Sequence, residues 1–299
     1  MADPVRPTLL LFGAQGQVGW ELARTLAPLG RVVALDRGAV DLTDLAAVRA
    51  AVETYRPRVV VNAAAYTAVD RAESDRALAE RINAEAPAAM AAAAAACGAL
   101  LVHYSTDYVF DGRAAVPYRE EAPTAPQGAY GATKLAGDAA VLASAAEAWV
   151  FRVSWVYAAR GRNFLRTIQR LAAERDELRI VADQVGCPTW AREIAEASAL
   201  AVGRWLSDRA AGYEPPARGV YHLASPDHTS WHGFASAIVD ALPAGAPRPA
   251  VRPITTAEYP TPAARPAWSV LDPTKFREAF GLALSPWREQ LARCLDPLT

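Results

Sequence analysis

The first half of the chain alternates short apolar runs with longer segments of helical periodicity. Five runs are nearly continuous in apolar residues, as strands buried on both faces of a sheet must be: 8–12, 31–36, 58–62, 100–105 and 149–154. The helical segments between them are 17–29, 42–55, 69–97 (with a bend near Pro87) and 128–146. Strands that alternate with helices predict right-handed crossovers in one sheet. We therefore expect an α/β fold with a doubly wound parallel sheet.

The second half of the chain is less regular. Residues 163–174 and 192–209 have helical periodicity, whereas 179–182 and 220–223 resemble short strands. Proline becomes dense after Pro243, which predicts surface loops and not a regular sheet. We expect a larger domain at residues 1–155, joined by a strand near 220–224, and a smaller C-terminal α/β domain mainly at residues 156–299.

Composition and charge exclude several classes of protein. The 299 residues carry a net charge of -1, whereas a nucleic-acid-binding protein needs a basic face. Residues 1–7 lack the apolar stretch of a signal peptide, and the alanine-rich run 86–97 predicts an ordinary helix. We therefore expect no nucleic acid and no membrane as partner. Cys97, Cys187 and Cys294 are scattered without metal-site spacing, which favours free thiols in a cytoplasmic protein.

A glycine-rich turn follows the first strand and opens the first helix. Gly13, Gly16 and Gly19 have the spacing GxxGxxG, with Gln17 and Val18 between the last two. Glycines allow a tight turn, so that backbone N–H groups and the helix N-terminus approach a pyrophosphate. This position at the first strand–helix junction predicts a Rossmann-type dinucleotide-binding domain.

The ends of the second and third strands extend this prediction. Asp36 is placed to bind the adenosine ribose hydroxyls, although an acidic residue there also suits a turn. Asp36 disfavours a 2′-phosphate and Arg37 beside it favours one, so both NADH and NADPH are expected as cofactors. Asp41 and Leu42 are candidates for the adenine end, with Asp41 equally suited to cap the next helix. The third strand ends in three small residues that let a dinucleotide lie close to the backbone: Ala63, Ala64 and Ala65.

A tyrosine and a lysine with YxxxK spacing follow the fourth strand. Tyr130 and Lys134 lie on one face if this segment is helical, so both polar ends reach one site. A nearby ammonium stabilises a phenolate and lowers the pKa of the phenol, which suits Tyr130 to general acid–base catalysis. Lys134 is also able to hydrogen-bond the nicotinamide ribose. Thr106 ends the fourth strand, where its hydroxyl is placed to bind the reacting oxygen; capping of a turn is the structural alternative.

Longer strings of residues resemble the dTDP-4-dehydrorhamnose reductase family, within the extended short-chain dehydrogenase/reductases. They cover nearly the whole chain: 62–70 with Glu73, 103–112, 154–157, Gly161 with Asn163 and Phe164, 183–186 with Pro188 and Thr189, and Arg265 and Pro266 with Ser269. The resemblance implies hydride transfer from NADPH or NADH to a 4-keto dTDP-sugar. It implies that Tyr130 donates the proton, that Lys134 tunes it, and that Asp107 and Trp155 contact the sugar nucleotide.

The resemblance also has departures and open points. The usual asparagine two residues before the tyrosine is Gly128, the usual histidine after the alanines is Tyr66, and Trp268 replaces a small or polar residue. Some members form metal-bridged homodimers, with Mg²⁺ in some relatives; we expect no required metal here, and a homodimer stays open. The alternatives are reduction of another dTDP-4-keto-deoxysugar in secondary metabolism and a non-catalytic, dinucleotide-binding regulatory subunit.

Overall fold

The computed structural model describes residues 6–296. The expectation that residues 1–7 form no signal peptide therefore lies mostly outside the described part. In chain order, the strands are β1 (Thr8–Phe12), β2 (Arg31–Leu35), β3 (Val59–Asn62), β4 (Leu100–Thr106), β5 (Glu147–Val153), β6 (Val156–Tyr157), β7 (Glu177–Val181), β8 (Val185–Gly186), β9 (Thr189–Trp190), β10 (Gly219–His222), β11 (Thr229–Ser230) and β12 (Ala250–Ile254). The α-helices are α1 (Gln17–Thr25), α2 (Leu45–Tyr55), α3 (Arg76–Glu80), α4 (Ala86–Cys97), α5 (Ala129–Ala143), α6 (Phe164–Glu174), α7 (Ala191–Ala211), α8 (Trp231–Asp240), α9 (Thr274–Phe280) and α10 (Trp287–Leu295).

The largest sheet has six parallel strands in the order β2–β1–β3–β4–β5–β10. Leu10 of β1 lies opposite Val33 of β2 on one side and Val60 of β3 on the other. The chain builds β2 on one side of β1 and then crosses to β3 on the other side. In such sheets, a crevice opens outside the carboxyl ends of the strands at this reversal. The doubly wound, Rossmann-type fold is therefore confirmed.

Helices cover both faces of this sheet. On one face, Leu22 of α1, Ile194 of α7 and Phe276 of α9 belong to one buried core. On the other face, Val52 of α2 and Met90 of α4 belong to a second core. The burial of each such side chain contributes roughly 1.5–3 kcal/mol to the stability of the folded protein. The two cores fix the strand ends at which the predicted site residues lie.

Two predicted helices have different ends in the structure. The helix predicted over 17–29 ends at Thr25. The helix predicted over 42–55 begins only at Leu45, because the Asp44 carboxylate accepts hydrogen bonds from two N–H groups of its first turn, both at 3.0 Å. The alternative that Asp41 caps this helix is therefore wrong.

The helix predicted over 69–97 is interrupted. A 3₁₀ turn (Arg71–Glu73) comes first, and regular helix begins at Arg76. A π turn (Arg81–Glu85) then joins α3 to α4. Pro87 stands in the first turn of α4, directly after the π turn, so the predicted bend coincides with a change of helix type.

A smaller unit packs beside the large sheet. Its core includes Leu165 of α6, Phe234 of α8 and Leu291 of α10. Within it, β12 pairs with β7 in parallel, with Pro253 opposite Ile180. The prediction of loops throughout the proline-rich region is thus wrong for β12, because a two-stranded pair has free edges at which proline's missing N–H does no harm.

The strand expected near residues 220–224 is present as β10 at the edge of the large sheet. Tyr221 lies opposite Phe151 of β5 in parallel register. The preceding helix α7 packs against α1, with Val202 of α7 and Leu26 in the same core. Among residues 6–296, no helix has the length and apolar character needed to cross a membrane.

Candidate active site

A cleft of about 850 Å³ opens at the carboxyl ends of the central strands. It brings together every residue that the sequence marks as a site candidate, with the exception of Gly19. The candidates that line it are Gly13, Gly16, Gln17, Val18, Asp36, Arg37, Asp41, Leu42, Ala63, Ala64, Ala65, Thr106, Asp107, Tyr130, Lys134 and Trp155. Segments far apart in the chain therefore converge on one cavity.

The glycine turn forms one end of the cleft. Gly13 has φ +83°, and a Cβ there would lie 2.7 Å from the backbone nitrogen of Ala64. Gly16 is the N-cap of α1 and provides no side-chain cap, so the first N–H groups of α1 stay available to an anion. A Cβ on Gly19 would overlap the carbonyl oxygen of Gly13, so Gly19 serves the packing of α1 on the turn.

Asp36 ends β2 at the rim of the cleft. Its Oδ1 accepts hydrogen bonds from the N–H groups of Gly38 and Ala39, each at 3.0 Å, and its Oδ2 accepts one from Gln15 Nε2 at 2.5 Å. The carboxylate thus holds the turn and faces the cleft at the same time. Both of the roles considered for Asp36 are compatible with this position.

Arg37 and Asp41 form an ion pair beside Asp36. Arg37 Nε lies 3.3 Å from Asp41 Oδ2, and the two side chains are 79% and 40% exposed. Hydrogen bonds from the backbone and the hydroxyl of Thr43 hold the pKa of Asp41 below its usual value. The guanidinium is therefore tied to a neighbouring carboxylate at the open rim.

Tyr130, Lys134 and Asp138 lie four residues apart along one face of α5. Asp138 is buried and pairs with the guanidinium of Arg152, whose Nε lies 3.2 Å from Asp138 Oδ2. Sequence reasoning missed Asp138, although its spacing of four from Lys134 is a signal that helical periodicity offers. This face therefore presents a phenol, an ammonium and a carboxylate in a row.

Glu73 fixes the beginning of α5. Its Oε1 accepts a hydrogen bond from Ala129 N at 2.8 Å, at the first residue of the helix. The N-cap is Gly128, and a Cβ there would lie 2.6 Å from the same carboxylate oxygen. Glycine in place of the asparagine usual at this position thus lets the Glu73 carboxylate lie directly over the helix N-terminus.

Tyr130 is close to Thr106 and Tyr108. Burial raises the pKa of Tyr130 to about 12, and a hydrogen bond with Thr106 opposes this shift. The rings of Tyr130 and Tyr108 meet edge to face at 5.8 Å. The net shift is upward, whereas the YxxxK spacing predicts a downward shift, because desolvation of the phenolate outweighs the stabilising contacts.

Lys134 is almost completely buried. Its Nζ donates a hydrogen bond to the Tyr104 carbonyl oxygen at 2.6 Å and lies 3.3 Å from His103 Nε2. Burial lowers the pKa of Lys134 to about 8, and the Asp138 carboxylate opposes this shift. Lys134 therefore changes its charge near neutral pH.

Asp107 follows Thr106 at the end of β4. Its Oδ1 accepts a hydrogen bond from Thr106 Oγ1 at 3.1 Å, and its Oδ2 accepts one from Ser154 Oγ at 2.9 Å. Burial raises the pKa of Asp107 to about 6, although hydrogen bonds from Ser269, Ser154 and Thr106 oppose this shift. The carboxyl group is thus a preorganised hydrogen-bonding group inside the cleft.

Two tryptophans stack on the opposite wall. The rings of Trp155 and Trp231 are parallel within 2°, with centroids 3.5 Å apart, and both line the cleft. Trp155 has φ +44°, which is uncommon for a bulky residue, and Gly186 packs where a Cβ would overlap its ring. Sequence reasoning missed Trp231, which belongs to a helix of the smaller unit.

The other departures from the family pattern lie in different places. Tyr66 lines the cleft, and its hydroxyl donates to Asp75 Oδ2 at 2.9 Å. The Asn83 side chain, in the π turn, bonds both the N–H and the carbonyl group of Tyr66, at 2.8 and 3.1 Å. Trp268 is outside the cleft lining, and its Nε1 donates to Val116 O at 2.9 Å.

Within residues 6–296, no group of three or more His, Cys, Asp or Glu side chains is arranged to hold a metal ion.

Comparisons with known proteins agree with the family resemblance that the motifs indicate. Residues 7–299 match the family described as the RmlD substrate binding domain. A dTDP-4-dehydrorhamnose reductase of Burkholderia thailandensis is 53% identical over 295 residues, covering 97% of this chain and 98% of that protein. A probable dTDP-4,6-dihydroxy-2-methyloxan-3-one 4-ketoreductase of Streptomyces antibioticus is 42% identical, covering 94% and 92%.

Solved structures give the same result. The dTDP-4-dehydrorhamnose reductase of Bacillus anthracis, crystallised in complex with NADP, has a TM-score of 0.85 and 34% identity, covering 96% of this chain and 98% of that one. The family resemblance that the motifs indicate is thereby confirmed. The chain belongs to the RmlD substrate binding domain family.

Proposed function

We propose that this protein reduces the 4-keto group of dTDP-4-dehydro-L-rhamnose to give dTDP-L-rhamnose, with NADPH or NADH as the reductant. The observation that carries the proposal is the convergence of Tyr130, Lys134 and Thr106 on one cleft with the glycine turn. The relatives at 53% and 34% identity, both named dTDP-4-dehydrorhamnose reductases, support the same substrate.

The cleft suits a dinucleotide. Without a Cβ at Gly13, the glycine turn lies directly against the backbone of Ala64, and the uncapped N-terminus of α1 offers N–H groups to a pyrophosphate. In this proposal, Gly16, Gln17 and Val18 surround the phosphates and Asp36 binds the adenosine ribose. The adenine end is formed by Arg37, Asp41 and Leu42, and the backbone of Ala63, Ala64 and Ala65 forms the floor. What the dinucleotide supplies when bound is a hydride for the 4-keto carbon.

The polar side chains beside this floor position and transfer the proton that the sugar oxygen receives. Tyr130 holds its proton firmly in the buried cleft and donates it to the sugar oxygen as negative charge develops there. Thr106 hydrogen-bonds the same oxygen and orients Tyr130. Lys134 binds the nicotinamide ribose and stabilises the phenolate that remains. Asp107 and Trp155 contact the sugar nucleotide.

A second candidate is reduction of another dTDP-4-keto-deoxysugar. The 42% identity to the Streptomyces antibioticus protein favours this alternative. The test is an assay of the purified protein with dTDP-4-dehydro-L-rhamnose and with other dTDP-4-keto sugars, following the loss of nicotinamide absorbance. We expect the rhamnose precursor to have the highest kcat/KM. Turnover of the other sugars alone would replace the first proposal with the second.

Three wider expectations accompany this proposal. Residues 1–155 with β10 bind the dinucleotide, and residues 156–299 mainly bind the sugar nucleotide; the position of Trp231 supports this division. The three free cysteines, Cys97, Cys187 and Cys294, favour a cytoplasmic protein. The last concerns assembly: a homodimer stays open, and sedimentation of the purified protein decides between monomer and dimer.

A further inference from the structure

A chain of buried polar groups runs beneath Lys134. It begins at the backbone N–H of Ala64, passes through Asn62 at the end of β3 and His103 on β4, and reaches Lys134 on α5. Asn62 and His103 are 0% exposed and Lys134 is 1% exposed. In such a dry environment each hydrogen bond has a definite direction, because a donor that faces a donor is costly.

The direction of each hydrogen bond in this series of polar groups follows from its first member, the backbone N–H group of Ala64. Ala64 N can only donate, and it donates to Asn62 Oδ1 at 3.2 Å. The amide NH₂ group of Asn62 therefore faces His103 Nδ1, at 3.0 Å. Since Nδ2 of asparagine only donates, Nδ1 of His103 must accept. Burial, with Lys134 nearby, holds the pKa of His103 well below its usual value, so the ring is neutral and its one proton is on Nε2.

This tautomer decides what Lys134 meets. The Nε2–H group of His103 lies 3.3 Å from Lys134 Nζ and 3.9 Å from Asp138 Oδ1. An ammonium has only donors and is opposed by an N–H group, whereas a neutral amine has a lone pair that accepts from it. The Tyr104 carbonyl oxygen accepts a hydrogen bond from Lys134 Nζ whether the lysine is an ammonium or a neutral amine.

We propose that Asn62 is a positioning residue, which fixes His103 as the Nε2–H tautomer and thereby makes Lys134 release its proton more readily than a lysine that faces an acceptor. Four ionisable or charged groups surround Lys134. Tyr130 and Asp138 are on α5, His103 is on β4, and Arg152 on β5 is paired with Asp138. The Asp138 carboxylate favours the ammonium, whereas burial and the His103 tautomer both favour the amine.

The meaning of this arrangement for catalysis rests on the proposed reduction. When the O–H bond of Tyr130 breaks, its proton forms a new bond to the sugar oxygen and a phenolate remains. A proton that leaves the Lys134 ammonium is then available to restore the hydroxyl, and the amine regains a proton from solvent. A lysine with a firmly held proton would slow this return.

The direct test is the nitrogen-15 spectrum of the full-length wild-type protein with labelled histidine, since protonated and unprotonated ring nitrogens differ widely in chemical shift. The chain has four histidines, and the variants His228→Gln and His232→Gln identify two of them. His222 is the internal reference, because its Nδ1 lies 3.1 Å from the Tyr118 carbonyl oxygen and so carries the proton. We expect His103 to show the opposite tautomer. A protonated Nδ1 on His103 would overturn the proposal, whatever sugar the enzyme reduces.

Two variants test the effect on Lys134. Asn62→Leu removes the donor to His103 Nδ1 without adding charge, and Asn62→Asp replaces it with an acceptor. Both free Nε2 to accept from the Lys134 ammonium, so we expect both to move the basic limb of the kcat–pH profile upward by about one to two pH units. A shift in Asn62→Asp alone would show an effect of charge and would contradict the tautomer argument. The wild-type spectrum decides the question even if Asn62→Leu fails to fold.

Discussion

Tyr130 lies one helical turn before Lys134 on α5, and burial shifts the pKa values of the two side chains in opposite directions, to about 12 and about 8. Each shift favours the neutral form of its group. The phenol thus keeps its proton until negative charge develops beside it, while the lysine exchanges its proton near neutrality. Two groups with separated pKa values are a common basis for dividing acid–base work.

Replacement of Tyr130 by phenylalanine removes the proposed proton donor and little volume. We expect kcat to fall by roughly 10²–10⁴-fold, since general acid catalysis is worth about that much. The dissociation constant for the dinucleotide, measured by fluorescence titration, should stay nearly unchanged. A fully active Tyr130→Phe protein would show that another group donates the proton. A wild-type protein that binds dinucleotide and reduces no sugar would favour the regulatory-subunit alternative.

Asp107→Asn should stabilise the protein in a pH-dependent manner. Burial raises the pKa of Asp107 from 3.8 to about 6, so the folded chain pays for ionising this group as the pH rises through that window. Below about pH 4 the Asp107 carboxyl group of the wild type is largely protonated in the folded and the unfolded chain, so this cost is absent. Above about pH 6, the variant should gain up to about 3 kcal/mol in the free energy of unfolding relative to wild type. Urea unfolding at pH 4 and pH 8 measures the difference, and an equal difference at both values would refute the argument.

Gly13→Ala tests the cofactor turn, and the chain offers a matched control. Gly13 and Gly245 both have φ +83°, but a Cβ on Gly245 would meet no atom within 4 Å. Gly245→Ala should therefore cost only the backbone strain, about 1–2 kcal/mol, with unchanged dinucleotide affinity. Gly13→Ala adds a collision with the Ala64 backbone and should weaken dinucleotide binding at least tenfold. Equal effects of the two substitutions on affinity would remove Gly13 from the binding site.

Asp41→Asn should shift cofactor preference toward NADPH. The substitution breaks the ion pair that holds Arg37 and leaves the guanidinium for a 2′-phosphate, while the amide oxygen still accepts from Thr43. An exposed pair of this kind is worth about 0.2–1 kcal/mol, so the ratio of kcat/KM for NADPH over NADH should rise by about 1.5- to 5-fold. Arg37→Ala should lower the same ratio. If neither variant changes it, Arg37 has no part in the choice between the two cofactors.

The sequence predicts those parts of the fold and site that depend on local pattern. The buried strands are readable because their apolar runs are continuous, and Tyr130 with Lys134 is readable because four residues make about one helical turn. Asp138 is readable by the same spacing. In each case the informative residues are neighbours in the chain.

Other parts depend on contacts between distant segments, which no local pattern records. Glu73 is recognisable as the cap of α5 only when the 3₁₀ turn is seen beside Ala129. The strand β12 escaped prediction because its partner β7 precedes it by many residues and its own sequence contains proline. The upward shift in the pKa of Tyr130 follows from burial, which spacing does not reveal.

The stacked indoles of Trp155 and Trp231 have a consequence for spectroscopy. Two parallel, stacked chromophores 3.5 Å apart couple electronically, so the pair contributes to near-ultraviolet circular dichroism in a way that isolated tryptophans do not. Any molecule that parts the two rings alters this contribution. Because Trp155 follows β5 of the large sheet and Trp231 begins α8 of the smaller unit, the protein carries an intrinsic optical reporter where these two units meet in one wall of the cleft.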